Sequence, residues 1–203
     1  MVGRGLLLVI SAPSGAGKTT LCKELAANVP ELWQSISYTT RQPRPGEVDG
    51  REYRFVAEAL FRDMVERSAF AEWASVYEHL YGTPKSPLNE KMASGIDVLL
   101  EIDAQGAAQI KKHYPDAVSI YILPPSMEVL RTRLTQRGSE APEEIQRRLE
   151  KAREEVWSYR DYSYIVRNVE LKQAYKDLES IILAERMKTT RVDTGWLEEH
   201  FFR

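Results

Sequence analysis

An α/β fold, with a parallel core sheet flanked by helices, is predicted by three features of this 203-residue sequence. The first is an apolar run, Leu6-Leu-Leu-Val-Ile10, that leads through a glycine-rich turn into a helix-patterned segment, Thr20 to Ala27. The second is the return of such runs at Asp97-Val-Leu-Leu-Glu-Ile-Asp103 and Ala117-Val-Ser-Ile-Tyr-Ile-Leu123, with helical segments between them. Strands alternating with helices in this way build a parallel sheet. The third is length, since a chain of this size buries one sizeable core and leaves room for inserted subdomains.

Composition excludes several classes of function. A net charge of −2 with 29% charged residues describes neither a general nucleic-acid surface nor a membrane surface. The longest apolar run is about five residues, far short of a bilayer span. The N-terminal residues enter the first strand directly, so no signal peptide is expected and the chain is read as cytoplasmic. Cys22 is the sole cysteine, which excludes an intramolecular disulfide, and His79, His113 and His200 are too scattered for metal-ligand spacing. With Leu21 and Leu25 beside it on a helix, Cys22 reads as a small core hydrophobe.

The turn after the first strand carries the chemistry. Ala12-Pro-Ser-Gly-Ala-Gly-Lys-Thr19 has the order that a phosphate-binding loop requires: strand, glycine-rich turn, lysine, hydroxyl, helix. Gly15 and Gly17 let backbone N–H groups close around phosphate oxygens, and the following helix adds its positive end. Lys18 reaches the β/γ-phosphates, and the Thr19 hydroxyl is placed to ligate Mg²⁺. Ala12 stands where the usual pattern has its first glycine, and alanine serves there if its φ is negative. Ala12, Pro13, Ser14, Gly15, Ala16, Gly17, Lys18, Thr19 and Thr20 are thus the expected ATP-binding loop, with Mg²⁺ accompanying the ATP.

The helix after this loop should end near Asn28, ahead of Pro30, and Trp33 to Tyr38 reads as a second core strand. Thr39 to Gly50 is a proline- and glycine-rich loop carrying Arg41 and Arg44, which taken alone is equally well a solvated turn. Tyr53-Arg-Phe55 reads as a strand, Glu58 to Arg67 as an amphipathic helix, and Phe70–Trp73 and Val76-Tyr77 as short strands around Glu72. Ser86-Pro87 opens a further helix that Gly95 closes. Residues 37–94 therefore form a small α+β insertion between core segments 1–36, 95–126 and 163–190.

Asp97 to Asp103 has the form of a Walker B strand, with Asp103 expected near Mg²⁺. Ser126 caps a helix from Met127 to Gln136. Between Arg131 and Arg160 seven arginines alternate with glutamates. Most of these read as salt-bridged surface, and the stretch 127–162 also reads as a lid that closes over transferring phosphates. Tyr164-Ile-Val166 is the last strand, followed by a helical stripe of Leu171, Ala174, Tyr175, Leu178, Ile181 and Ile182. The tail 191–203, with Trp196, Phe201 and Phe202, is aromatic enough to dock on the core or on a second subunit, so a homo-oligomer is allowed.

From residues alone this is a P-loop phosphotransferase with an inserted subdomain and an arginine-rich lid. A switch GTPase would need a guanine-specificity loop and a water-positioning residue, and neither is evident. Several motifs in order then resemble the guanylate kinase family: Ser11 to Thr19, Thr39 to Glu47, Asp49 to Phe55, Phe70 to Trp73, Tyr81-Gly-Thr83, Glu101 to Gly106 and Pro124-Pro-Ser126. The resemblance spans Leu8 to about Ala184. It implies Mg-dependent transfer of the ATP γ-phosphate to GMP, with dGMP as a further acceptor and with neither nucleic acid nor membrane as partner. Arg41, Arg44, Tyr53 and Tyr81 resemble the family's clamp for the GMP phosphate, a dianion that arginine forks suit. Glu72 resembles the reader of guanine N1–H and the 2-amino group, with Ser37 and Thr83 beside the base. Arg137 and Arg148 match lid arginines that, with Lys18 and Arg44, stabilise the transferring phosphoryl group. Asn168 matches an adenine-side contact, and Asp103 serves the metal, the guanine amino group or both. Two rivals stand beside this reading. One is a non-enzymatic binding module of the same fold, which would not need Lys18, Arg41 and Arg44 together. The other is a kinase for a phosphorylated sugar, which would not need Glu72.

Overall fold

The computed structural model describes residues 3–76, 78–136, 142–191 and 194–202. The chain opens with β1 (Leu7–Ser11), α1 (Lys18–Asn28) and β2 (Leu32–Gln34), then leaves the core for β3 (Tyr38–Thr39) and β4 (Arg54–Phe55). There follow α2 (Glu58–Glu66), β5 (Phe70–Val76), β6 (His79–Pro84) and α3 (Lys85–Ala93). It returns through β7 (Asp97–Glu101), α4 (Ala104–His113) and β8 (Val118–Leu123) to α5 (Met127–Gln136) and α6 (Pro142–Val156). β9 (Tyr164–Arg167), α7 (Leu171–Arg186) and α8 (Thr194–Phe201) complete it.

The core sheet has the order β2-β7-β1-β8-β9, and every neighbouring pair is parallel. Its central strand explains the unbroken apolar run seen in the sequence. Leu8 and Ile10 pack toward Leu21, Cys22 and Leu25 of α1 and Ala174, Leu178 and Ile182 of α7. Leu7 and Val9 pack on the opposite face with Leu88 and Met92 of α3 and Ala107 and Ile110 of α4. A strand covered on both faces has no polar side to alternate with. Cys22 is fully buried among these residues, as its neighbours predicted. Leu171 differs from the predicted stripe: it begins α7 and is exposed, because the helix meets the sheet only from Ala174 onward.

The second sheet, β4-β3-β6-β5, stands apart from the first and joins antiparallel and parallel pairs. Three boundaries here differ from the sequence reading. The extended stretch 33–38 is not one strand. Leu32–Gln34 pairs with β7, whereas Tyr38–Thr39 pairs with β4 and β6, so the chain changes sheets between them. Phe70–Val76 is one continuous strand, its partner being the β6 hairpin arm; Tyr77 lies outside the described residues. Finally, α3 begins at Lys85 rather than behind a Ser86 cap, and the Ser86 hydroxyl bonds Glu90 at 2.5 Å. Pro87 then sits in the first turn, where a missing N–H costs the helix nothing. Gly95, at φ 78, ends that helix as expected.

α5 and α6 pack through a seam of Leu130, Leu134, Leu149 and Ala152, with Met127 and Ile145 beside it. Ser126 Oγ accepts from the Val129 N–H at 3.2 Å, the predicted cap. In the tail, Trp196 stacks on His200 and meets Phe201 edge-on within α8, and Trp196, Phe201 and Phe202 are exposed. Among the described residues no helix is long and apolar enough to cross a membrane.

One partly buried ion pair ties both ends of the core together. Asp97 accepts from the Leu6 N–H at 2.7 Å and from Arg186 Nε at 2.7 Å, and Arg186 also donates to the Pro30 carbonyl at 2.7 Å. Asp97→Ala orphans the buried Leu6 N–H and leaves the partly solvated Arg186 without its carboxylate, so it should lower stability by about 3 kcal/mol. For a domain of this size that is a drop of roughly 6–12 °C in melting temperature, readable by calorimetry.

Candidate active site

The phosphate loop lies at the carboxyl ends of β1, β7 and β8, where parallel sheets collect their ligand sites. Gly15 and Gly17 both take positive φ, at 90° and 93°. At Gly17 a methyl would also lie 2.4 Å from Asn168 Nδ2, so only glycine fits. Ala12 is not among the residues with positive φ, which removes the objection to alanine at that position. Lys18 extends across the sheet ends and donates to the Ile102 carbonyl at 3.0 Å. The Thr19 hydroxyl meets Glu101 Oε1 at 2.5 Å, and Gln34 Nε2 holds Glu101 Oε2 at 3.2 Å.

Asp103, the acid that the strand pattern singled out, also caps a helix. Its Oδ1 accepts from the Gly106 N–H at 2.9 Å and caps α4, and Gln105 donates to its other oxygen at 3.2 Å. The carboxylate beside the Thr19 hydroxyl is therefore that of Glu101.

The floor of the second sheet holds a buried carboxylate. Glu72 is 4% exposed and accepts from the Thr83 hydroxyl at 2.6 Å, and Thr83 in turn lies 3.5 Å from the Ser37 hydroxyl. A bulge brings Glu72 there. Phe70 faces Pro84 and Glu72 faces Thr83, so two residues of β5 oppose one of β6 and the pleat is reset at Ala71. Burial lifts the Glu72 carboxyl from its ordinary 4.5 to about 7, against the Thr83 hydrogen bond and with added repulsion from Asp103. α4 admits the carboxylate because residue 106 is glycine. A methyl on Gly106 would lie 2.3 Å from Glu72 Oε2.

Toward the mouth, Arg41 is held in a fork by Glu47, with both bonds at 3.0 Å, and lies 5.5 Å from the Tyr53 ring. Tyr53 meets Tyr81 edge-on at 5.7 Å. Glu47 also accepts from the Arg44 N–H at 2.7 Å, which turns the chain so that the Arg44 side chain is exposed beside Arg41. Arg41, Arg44, Tyr53 and Tyr81 thus lie together, and Ser37, Glu72 and Thr83 form a second group.

The α5–α6 pair lies over the phosphate loop. Arg148 donates to the Ser14 hydroxyl from both Nε, at 3.2 Å, and Nη2. Arg133 donates to the carbonyls of Ala16 and Asn168 at 3.4 and 3.1 Å. Asn168 is buried and gives its amide N–H to the Ala16 carbonyl at 2.8 Å, while its Oδ1 has no hydrogen-bond partner. Arg137 lies outside the described residues.

The sequence model of one family, guanylate kinase, matches residues 4–185. The chain belongs to the guanylate kinase family. It is 50% identical over 188 residues to the guanylate kinase of Caldanaerobacter subterraneus subsp. tengcongensis, covering 93% of this chain and 91% of that one. Against the guanylate kinase of Geobacter metallireducens the identity is 50% over 192 residues, 95% of each chain. The crystal structure of guanylate kinase from Anaplasma phagocytophilum superposes with a TM-score of 0.83 at 33% identity, over 98% of this chain and 96% of that chain.

Sequence reasoning on this guanylate kinase family member missed Glu101, Arg133, Gly106 and the role of Asp103 as a helix cap. Glu101 and Asp103 are both acids at one strand end, and only the position of the helix start tells them apart. Gly106 would ordinarily be a weak point in α4, where alanine gains about 1 kcal/mol. Here Gly106→Ala should instead destabilise the protein by about 1–3 kcal/mol through overpacking. In a Glu72→Ala background the same change should be neutral or stabilising. Urea midpoints for the four proteins of this double-mutant cycle read the coupling directly.

Proposed function

We propose that this chain transfers the γ-phosphate of ATP to GMP, giving ADP and GDP, with the phosphate loop holding the donor and segment 37–94 choosing the acceptor. The observation that carries the reading is Glu72, a buried carboxylate bonded to hydroxyl-bearing Thr83 and, among the described residues, drawn down only weakly by Lys18, with burial outweighing that attraction. Such a group calls for a ligand with two adjacent N–H donors, and the guanine N1–H and 2-amino group supply them where adenine does not. Membership of the guanylate kinase family agrees with this choice.

Each remaining role follows from charge and position. Arg41, pre-ordered by Glu47, and the exposed Arg44 take the GMP phosphate together with the hydroxyls of Tyr53 and Tyr81. Lys18 neutralises the transferring phosphoryl group while one oxygen of the GMP phosphate attacks the γ-phosphorus in line and the bond to the ADP oxygen breaks. Arg137 and Arg148 supply further positive charge from the lid, segment 127–162, and Asn168, whose side-chain amide oxygen is buried without a hydrogen-bond partner, takes the adenine side. Mg²⁺ accompanies ATP in this reading. The Thr19 hydroxyl and Glu101 carboxylate are adjacent hard-oxygen donors, with Asp103 two residues farther along the chain. Among the described residues no cluster of three histidines, cysteines or carboxylates gathers to hold a metal unaided. A cation shared with phosphate oxygens and water suits such a donor set, and it neutralises phosphate charge when bound. The reaction belongs in the cytoplasm, where both nucleotides are plentiful, and dGMP keeps every base contact named here.

An acceptor panel tests the proposal, following ADP release with GMP, dGMP, AMP, UMP, CMP and ribose phosphates. GMP should lead, and AMP should be rejected by roughly 10⁴-fold or more, because it leaves the buried polar groups of the site unpaired. Equal rates with AMP, or a faster ribose phosphate, would contradict it.

A further inference from the structure

We infer that Gln109 is a positioning residue for guanine recognition, its side-chain amide fixing the strand that carries Glu72 against the helix that backs the carboxylate. The inference rests on the reading of Glu72 as the guanine reader.

β5 is an edge strand of the second sheet, so one side of its backbone has no strand neighbour. Gln109 of α4 takes that side at Trp73. The Trp73 N–H donates to Gln109 Oε1 at 3.2 Å, and Gln109 Nε2 donates to the Trp73 carbonyl at 2.7 Å. One amide thus makes with one residue the two-bond exchange that a neighbouring antiparallel strand would make. The Trp73 ring is 41% exposed, so packing of the indole does not account for the hold.

This clamp sits one residue from Glu72 and on the same face of α4 as Asp103 and Gly106, at spacings of three. Asp103 caps the helix through the Gly106 N–H, Gly106 makes room for the carboxylate, and Gln109 pins the strand. The carboxylate is pressed against Gly106 with no space to spare, so a small slide of β5 along α4 changes how far Glu72 reaches. α4 belongs to the core while β5 belongs to the inserted sheet. Gln109 therefore also sets the guanine reader in the frame of the phosphate loop.

The test compares wild type, Gln109→Met and Glu72→Gln with GMP and with IMP, which lacks the 2-amino group. Gln109→Met keeps side-chain length and helix propensity and removes both the donor and the acceptor. It should raise KM for GMP about tenfold, the scale expected from two lost hydrogen bonds. The preference for GMP over IMP in kcat/KM should fall, while kcat and KM for ATP stay near wild type. A general structural defect would move all four quantities together. If Glu72→Gln lowers the GMP preference and Gln109→Met leaves it at the wild-type value, the positioning role is wrong. If neither variant moves the preference, the guanine reading of Glu72 falls and this inference falls with it. Should Gln109→Met not yield folded protein, Gln109→Glu carries the same expectation, since it keeps the acceptor for the Trp73 N–H and loses the donor to its carbonyl.

Discussion

Keeping the Glu72 carboxylate buried beside a hydroxyl, with only the weak pull of Lys18 to offset its burial, constrains the acceptor side of this molecule. Desolvation favours its protonated form, so the group is stored near neutrality rather than as a fixed charge. The space it needs comes from Gly106, its aim from the bulge at Ala71 and its one strong partner from Thr83. A site held this way has an unmet demand for donors, which in the proposed reading is what selects a base. Lys18, Arg41 and Arg44 supply the positive charge that the proposed reading assigns to phosphate.

α4 connects the two ends. Its first residue follows Asp103, two positions after Glu101, which meets the Thr19 hydroxyl, and its next two turns support Glu72 and β5. One short helix thereby relates the donor loop to the acceptor reader, and phosphoryl transfer needs that relation more than it needs covalent chemistry. The α5–α6 pair approaches from another side and touches the loop through Arg148 and Arg133, an arrangement suited to closing over nucleotide.

The phosphate loop and the parallel core were legible in the sequence because consecutive residues specify them. Gly15, Gly17, Lys18 and Thr19 act as neighbours in the chain, and β1 declares its two covered faces by its unbroken apolar run. Glu72 was legible through its resemblance to a known motif, but not the bulge that aims it, since an extra residue such as Ala71 leaves no trace in an apolar pattern. The break between β2 and β3 was hidden because extended chain looks the same in either sheet. Glu101 was overlooked in favour of Asp103 because both acids end the same strand. Partners distant in sequence, such as Gln109 with Trp73 or Arg133 with Ala16, have no local signal at all.

In the proposed reading Glu72 is largely protonated below neutral pH in the free enzyme and is ionised when guanine binds. Its folded pKa of about 7 lies above the ordinary 4.5, so between those values the folded chain holds a proton that the unfolded chain has released. This group's contribution to stability therefore declines as pH rises through that window, then levels off. Guanine donors favour the carboxylate, so GMP binding should expel the proton. Calorimetric titration of GMP at pH 6, repeated in buffers of different ionisation enthalpy, measures that proton directly. Wild type should release close to one proton more per GMP than Glu72→Gln, since the GMP phosphate, with its second pKa at about 6, gives up the same fraction of a proton in both. Wild-type affinity should gain more than that of Glu72→Gln as pH rises toward 7. Equal proton release by wild type and Glu72→Gln at pH 6 would contradict this.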